Sequence, residues 1–234
     1  MIRAILFDAG DILYSKPGRK KSLDEFLMSR GYEASSSPDP IAKALRLSAH
    51  AGEISERSFF EKLMDHYGVT NPQHVEEGIQ LLHREQRNVV FFDGVADTLF
   101  QLKSSGFKLG IVTNTYNSKE EKHRWFASIG IDQLWDSYAN SCDLRVIKPD
   151  PKIYLAALDP INVFPSDAAF VGHAKTEIEG AKALGMTTIR FNPDPNCVES
   201  DFLAKKFSDL LSLPCIIEAK KSGKSKYDYL LDLA

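Results

Sequence analysis

The opening run from Ile2 to Phe7 is apolar at every position except Arg3, the pattern of a strand buried on both faces of a parallel sheet. It stops abruptly at Asp8-Ala9-Gly10-Asp11. Similar runs return at Lys108 to Thr113, Ala168 to Val171 and Met186 to Phe191, and the segment SCDLRVI, from Ser141 to Ile147, reads as another. Helix-period segments separate them. Strands alternating with helices predict βαβ units and a parallel sheet covered on both sides.

Between about Lys16 and Val90 the period changes and no strand-like run survives. Apolar residues fall at helical spacing in four stripes: Leu23, Phe26 and Leu27; Ile41, Ala44 and Leu45; Phe59, Phe60, Leu63, Met64 and Tyr67; and Val75, Ile79 and Leu82. Pro38-Asp39-Pro40, Gly68 and Asn71-Pro72 punctuate them as turns. The spacing predicts an all-helical insertion directly after the first strand. Phe92-Asp93-Gly94 marks its exit, after which Val95, Leu99 and Leu102 begin a core-type helix closed by Gly106. The tail from Ala219 is lysine-rich and then apolar, a solvated linker leading to a short docking segment.

Composition narrows the class. In 234 residues, 43% are hydrophobic and 26% charged, as in an ordinary globular protein with a sizeable core. The net charge of −3 lacks the basic excess of a dedicated nucleic-acid binder. The first apolar run is far short of the roughly 20 residues that span a bilayer, so no membrane partner is expected. Cys142, Cys197 and Cys215 are odd in number and widely spaced, which suits a reducing cytoplasm better than a disulfide framework. Oligomeric state is not readable from these features.

Open α/β sheets bind ligands beyond the carboxyl ends of their strands. Asp8, Thr113-Asn114, Lys148-Pro149 and Gly172-His173 all fall at such ends. Alone, a Thr-Asn pair reads as a turn or a helix cap, and a lysine before proline as an exposed side chain. In this order and spacing, the stretches ILFDAGDIL, DGVADTLFQLKSSGFKLGIVTNT, VIKPDPKIY and FVGHAKTEIEGAKALGM resemble the haloacid dehalogenase-like hydrolase superfamily, in the group with a helical cap inserted after the first motif. The likeness runs from Ile2 to about Phe191.

The resemblance implies a three-layer α/β/α Rossmann-like core, residues 1–14 and 92–234, with a helical cap over residues 15–91. It implies that Asp8 is a nucleophile attacking a small anionic molecule, phosphorylated or carboxylated. Thr113 and Asn114 match the donor position and Lys148 the cation that offsets the charge.

Two positions depart from the family pattern. Gly10 stands where its phosphatases carry a second Asp that acts as acid and base, a loss of about 10² to 10⁴ in rate. Asp11, one residue on, is expected to point to another side of the loop. His173 stands at a metal-binding carboxylate position, leaving Asp8, the Gly10 carbonyl and Glu177 as oxygen donors for Mg²⁺. His173 has three readings: a general base or donor to an anion, a cap on the following helix, or a fixed partner of Asp8. The other histidines, His50 among them, read as cap or outer-helix residues. The run from Lys16 to Lys21 enters the cap, either as a solvated hinge or as an attractor of anions. Three functional expectations follow: a hydrolase with altered acid/base chemistry, a HAD-like anion-binding protein without turnover, or a metal-free dehalogenase-type hydrolase. The last is incomplete, because the residues after the fourth strand that would place its water are here only His173 and Glu177.

Overall fold

The computed structural model describes residues 1–223. Six parallel strands form the central sheet: β1 (Ala4–Phe7), β4 (Lys108–Thr113), β5 (Ser137–Asn140), β6 (Ala168–Gly172), β7 (Thr187–Phe191) and β8 (Phe202–Ala204). Two short strands, β2 (Tyr14–Ser15) and β3 (Val90–Phe91), pair separately and antiparallel. The sheet order is β5-β4-β1-β6-β7-β8, so β1 lies between the strands that carry the other candidate motifs. Phe7 is in register with Ile111 on one side and Val171 on the other, which brings the three strand ends to one level.

The alternation of side chains in β1 explains the two outer layers. Ile5 and Phe7 join Leu99, Ile111, Phe126, Val171 and Phe207 on one face. Ala4 and Leu6 join Val112, Tyr154, Phe170 and Ile178 on the other. Helices α5 (Val95–Ser104), α6 (Lys119–Ala127) and α10 (Pro214–Gly223) supply residues to the first face, and α8 (Pro151–Leu158) and α9 (Lys175–Ala183) to the second. Every residue of β1 is buried, as a strand covered on both sides requires.

Between β2 and β3 run α1 (Arg19–Ser29), α2 (Pro40–His50), α3 (Glu56–His66) and α4 (Pro72–Arg87). They bury their own cluster, centred on Leu27, Phe60, Met64, Ile79 and Leu82. Asp39, Ser55 and Asn71 cap α2, α3 and α4 by accepting backbone N–H groups. The second stripe differs from expectation: Ile41 and Ala44 face outward, and α2 turns Ala42, Leu45 and Ala49 inward. Tyr116, in the loop after β4, enters this cluster with its ring centroid 5.2 Å from that of Phe59. Its neighbour Asn117 donates to the buried Gln86 of α4 at 2.8 Å, and Ser141 donates to the His50 carbonyl at 2.7 Å. These contacts clasp the four helices to the sheet.

Two further expectations are corrected. SCDLRVI is not a strand: β5 precedes it, and its first four residues form the short helix α7 (Ser141–Leu144). The strand SYAN is too polar to stand out, because Asn140 turns its side chain to loop backbone and caps α7. The tail leaves no linker at Ala219, since α10 continues through Gly223; the expected docking segment lies outside the described residues. No helix among the described residues is long and apolar enough to cross a membrane.

Gly180 sets how closely α9 approaches the loop carrying Lys148. A Cβ at this position would lie 2.8 Å from the Pro149 Cβ, 3.0 Å from its carbonyl and 3.1 Å from the Tyr154 hydroxyl. Gly180→Ala is expected to push α9 off that loop and destabilise the protein by about 1–3 kcal/mol. Urea unfolding checks this; a midpoint equal to wild type would mean the contact is slack.

Candidate active site

The carboxyl ends of β1, β4 and β6 open into a crevice of about 410 Å³ between the sheet and the helical insertion. Asp8 leaves β1 at its floor, and its own N–H donates to the Val171 carbonyl at 3.0 Å. Lys148 approaches from the loop after α7, with its side chain fully buried. Its Nζ lies 2.7 Å from Asp8 Oδ1 and 2.8 Å from Glu177 Oε1, one ammonium shared by two carboxylates. Asn114 fixes that loop. Its Oδ1 accepts from the Lys148 N–H at 2.8 Å and its Nδ2 donates to the Lys148 carbonyl at 3.5 Å. Expected as a donor to a bound anion, Asn114 thus has both side-chain atoms engaged in holding the lysine.

His173 follows β6 and meets the other side of Asp8. Its Nε2 is 3.5 Å from Asp8 Oδ2, and its Nδ1 is 3.2 Å from Asp194 Oδ1. It does not cap α9; Ala174 holds that position without a side-chain bond. Burial alone would favour the neutral ring, but Asp8, Glu177 and Asp194 outweigh it and raise the pKa to about 9. Imidazolium is therefore the form at neutral pH. Burial likewise opposes ionisation of Asp8, yet Lys148 and His173 together hold its carboxyl far below the ordinary range. Glu177 moves the other way: burial leads, and its proton affinity is raised despite Lys148. Its Oε2 is buried without a hydrogen-bond partner.

Gly10 lines the crevice with open space where a side chain would begin, and its backbone is not in the left-handed region. That region is occupied by Asp11, at φ 57, the position where the family pattern has glycine. Contrary to expectation, Asp11 also lines the crevice; burial raises its carboxyl pKa. Thr113 is buried, and its hydroxyl accepts from Lys122 Nζ at 3.0 Å.

Sequence reasoning missed Lys122, which also donates to the Tyr14 hydroxyl at 3.1 Å and is almost fully buried. A signal was present: Lys122 shares the buried face of α6 with Trp125 and Phe126, where an apolar residue is the default. Arg46 and His50 of α2 and Tyr116 line the crevice too, along with Lys16 and Arg19 from the run that was read as hinge or attractor. His50, read as a cap or outer-helix residue, ends α2 of the insertion and is held neutral by burial and by nearby Arg46, Lys122 and Lys148, its pKa lowered to about 3.

Asp8, His173 and Glu177 place one ligand atom each within 4.8 Å of one another, a cluster able to surround a cation. The donors do not suit Mg²⁺, which demands hard oxygens in a tight octahedron. Both Asp8 oxygens face protein cations, Glu177 shares Lys148, and the third group offers an imidazole nitrogen in place of a hard oxygen. In charge, His173 does what a bound cation would do.

The model of the haloacid dehalogenase-like hydrolase family matches residues 7–191. A glyceraldehyde 3-phosphate phosphatase of Methanopyrus kandleri is 28% identical over 198 residues, 81% of this chain and 84% of that protein. The (S)-2-haloacid dehalogenase 4A of Burkholderia cepacia is 32% identical over 115 residues, 49% of each chain. Among solved structures, a 2-haloacid dehalogenase from Pseudomonas syringae pv. Tomato superposes with a TM-score of 0.65 at 22% identity, covering 91% of this chain and 97% of that one.

The His173 shift has a pH signature. A group whose pKa rises on folding stabilises fully below its unfolded value, near 6.5, and loses that contribution as pH climbs through about 9. The stability gap between wild type and His173→Gln should therefore be widest near pH 6 and close towards pH 10. Denaturant unfolding across that range checks it; a pH-independent gap would show that His173 is not held as the cation.

Proposed function

The chain belongs to the haloacid dehalogenase-like hydrolases, and from that premise we propose that it hydrolyses small anionic molecules through Asp8 without a divalent metal. The observation that carries this reading is the pairing of both Asp8 oxygens with the protein's own cations, Lys148 at 2.7 Å and His173 at 3.5 Å. Together they keep the carboxylate ionised, as a nucleophile must be.

In the first step an Asp8 oxygen forms a bond to phosphorus or to carbon, and the bond to the leaving group breaks, the electron pair departing with that group. In the second, water attacks the aspartyl phosphate at phosphorus or the aspartyl ester at its carbonyl, releasing phosphate or the hydroxyl product and restoring Asp8. Once Asp8 is esterified, its charge is lost and Glu177 becomes the sole carboxylate partner of Lys148. Its raised proton affinity and unpartnered Oε2 suit it to take the proton of the attacking water.

Gly10 decides which substrates react. Without a carboxyl there, the acid that the family pattern places two residues after the nucleophile is missing, so the leaving group must be stable as an anion. Halides, aryl oxides and acyl phosphate carboxylates qualify; alkoxides do not. Asp11 is exposed at the crevice edge and one residue out of place for that task. The phosphatase and the dehalogenase among the relatives bracket the two electrophiles, phosphorus and carbon.

A panel of aryl, acyl and alkyl phosphates and 2-haloacids, assayed with and without EDTA, tests this reading. Turnover is expected on members with good leaving groups, unchanged by the chelator and abolished in Asp8→Asn. Gly10→Asp has room to fold and should extend activity to alkyl phosphates, by about 10²-fold or more if the acid alone is missing. Chelator-sensitive turnover, or alkyl phosphates hydrolysed by the wild type as well as aryl ones, would contradict it.

A further inference from the structure

The carboxylates on the floor of the crevice are matched by cations: Asp8 and Glu177 share Lys148, and His173 bridges Asp8 and Asp194. The wall facing them is not balanced in this way. Lys16, Arg19, Arg46 and Lys122 all line the crevice, and among the described residues none of them lies within ion-pair distance of a carboxylate.

Their hydrogen-bond partners are neutral. Lys16 reaches the Asn117 amide oxygen at 3.5 Å and sits 4.4 Å from the centroid of the Trp125 ring. Arg19 donates to the Tyr116 hydroxyl at 2.8 Å, and Lys122 to two hydroxyls. Burial lowers the pKa of Lys122 to about 7 and that of Lys16 to about 8, the response of ammonium groups held away from water without sufficient counter-charge. His50 reports the same field, kept neutral amid Arg46, Lys122 and Lys148. Lys122 is buried, Lys16 and Arg19 are half-buried and Arg46 is exposed; a cation withdrawn from water without a counter-charge is unfavourable, and a ligand carrying the opposite charge relieves it.

The placement of the four divides the crevice. Lys122 reaches towards the floor through Thr113, whereas Arg19 belongs to α1 and Arg46 to α2, above it, with Lys16 at the neck between them. A reacting group seated on Asp8 leaves the cations of the helical side facing the remainder of the molecule. We propose that the substrate carries a second oxyanion, carboxylate or phosphate, held by Lys16, Arg19 and Arg46 while its reacting group lies against Asp8. This rests on the reading of the crevice as the active site and names the substrate class: a small molecule with an anionic group at each end. The crevice volume is at the small end of the usual range for ligand pockets, about 300–1,000 Å³, which suits a compact molecule.

Binding, rather than turnover, is the test, so that failure of the nucleophile reading and failure of this one remain separate. Calorimetry on the intact protein compares phosphonoacetate, which carries two anionic groups, with methylphosphonate, which carries one; neither has a cleavable ester. Phosphonoacetate is expected to bind at least about tenfold tighter, equivalent to about 1.4 kcal/mol. In Arg19→Gln/Arg46→Gln the ratio of the two dissociation constants should fall towards one, and the two single variants give the same readout if the pair fails to fold. A ratio near one in the wild type, a ratio that survives both substitutions, or no binding of either probe would overturn the proposal.

Discussion

A carboxylate buried at the end of a central strand is the constraint around which the molecule is arranged. Asp8 follows a strand with no exposed residue, and an isolated charge there would be strongly disfavoured. Lys148 at 2.7 Å makes it tolerable. The lysine is itself fully buried and needs a second carboxylate, Glu177, and a loop fixed by Asn114. Gly180 lets α9 approach that loop closely enough for Glu177 to reach. Removing any one member leaves a buried charge without its partner, so the floor of the crevice behaves as one unit.

His173 completes that unit by meeting Asp8 and Asp194, and under the proposed function it changes the site's chemistry. At the place where the family pattern has a metal-binding carboxylate, a ring raised to about 9 supplies positive charge directly. The substitution removes a ligand and adds a cation in one step, and it is coherent with the absence of a carboxyl at Gly10. A site that provides its own cations and does not protonate the leaving group is restricted to leaving groups that are already stable. On the proposed mechanism, the two departures describe one altered chemistry rather than two separate defects.

How much of this was legible in the sequence follows from how local each signal is. Strands β1 and β6 could be read because burial on both faces leaves runs such as AILF with no polar position, and β4 and β7 from shorter apolar stretches between polar residues. Strand β5 could not, since Ser137 and Asn140 make SYAN look polar, and the partner that Asn140 Nδ2 donates to, the Asn117 carbonyl, is brought near only by the fold; β8 is a three-residue edge strand. Asp8, Thr113 and His173 were visible through strand-end placement and the family resemblance, and Lys148 through the resemblance, since the run before it is not a strand. Arg46 and His50 were not, because the folding of the insertion over the sheet brings them to the crevice, and no local period encodes that. Lys122 lies between these cases: a lysine on an apolar helix face is an anomaly in the sequence, but only the fold shows that it faces Thr113 and Tyr14.

The central claim is that protein cations, His173 above all, stand in for a metal beside Asp8. Nitrogen NMR of the His173 ring, titrated from pH 5 to pH 10 with and without millimolar Mg²⁺, measures it directly. The account predicts an imidazolium through neutral pH, deprotonation near 9 and resonances indifferent to Mg²⁺. A ring that titrates near 6.5 and shifts when Mg²⁺ is added would contradict it.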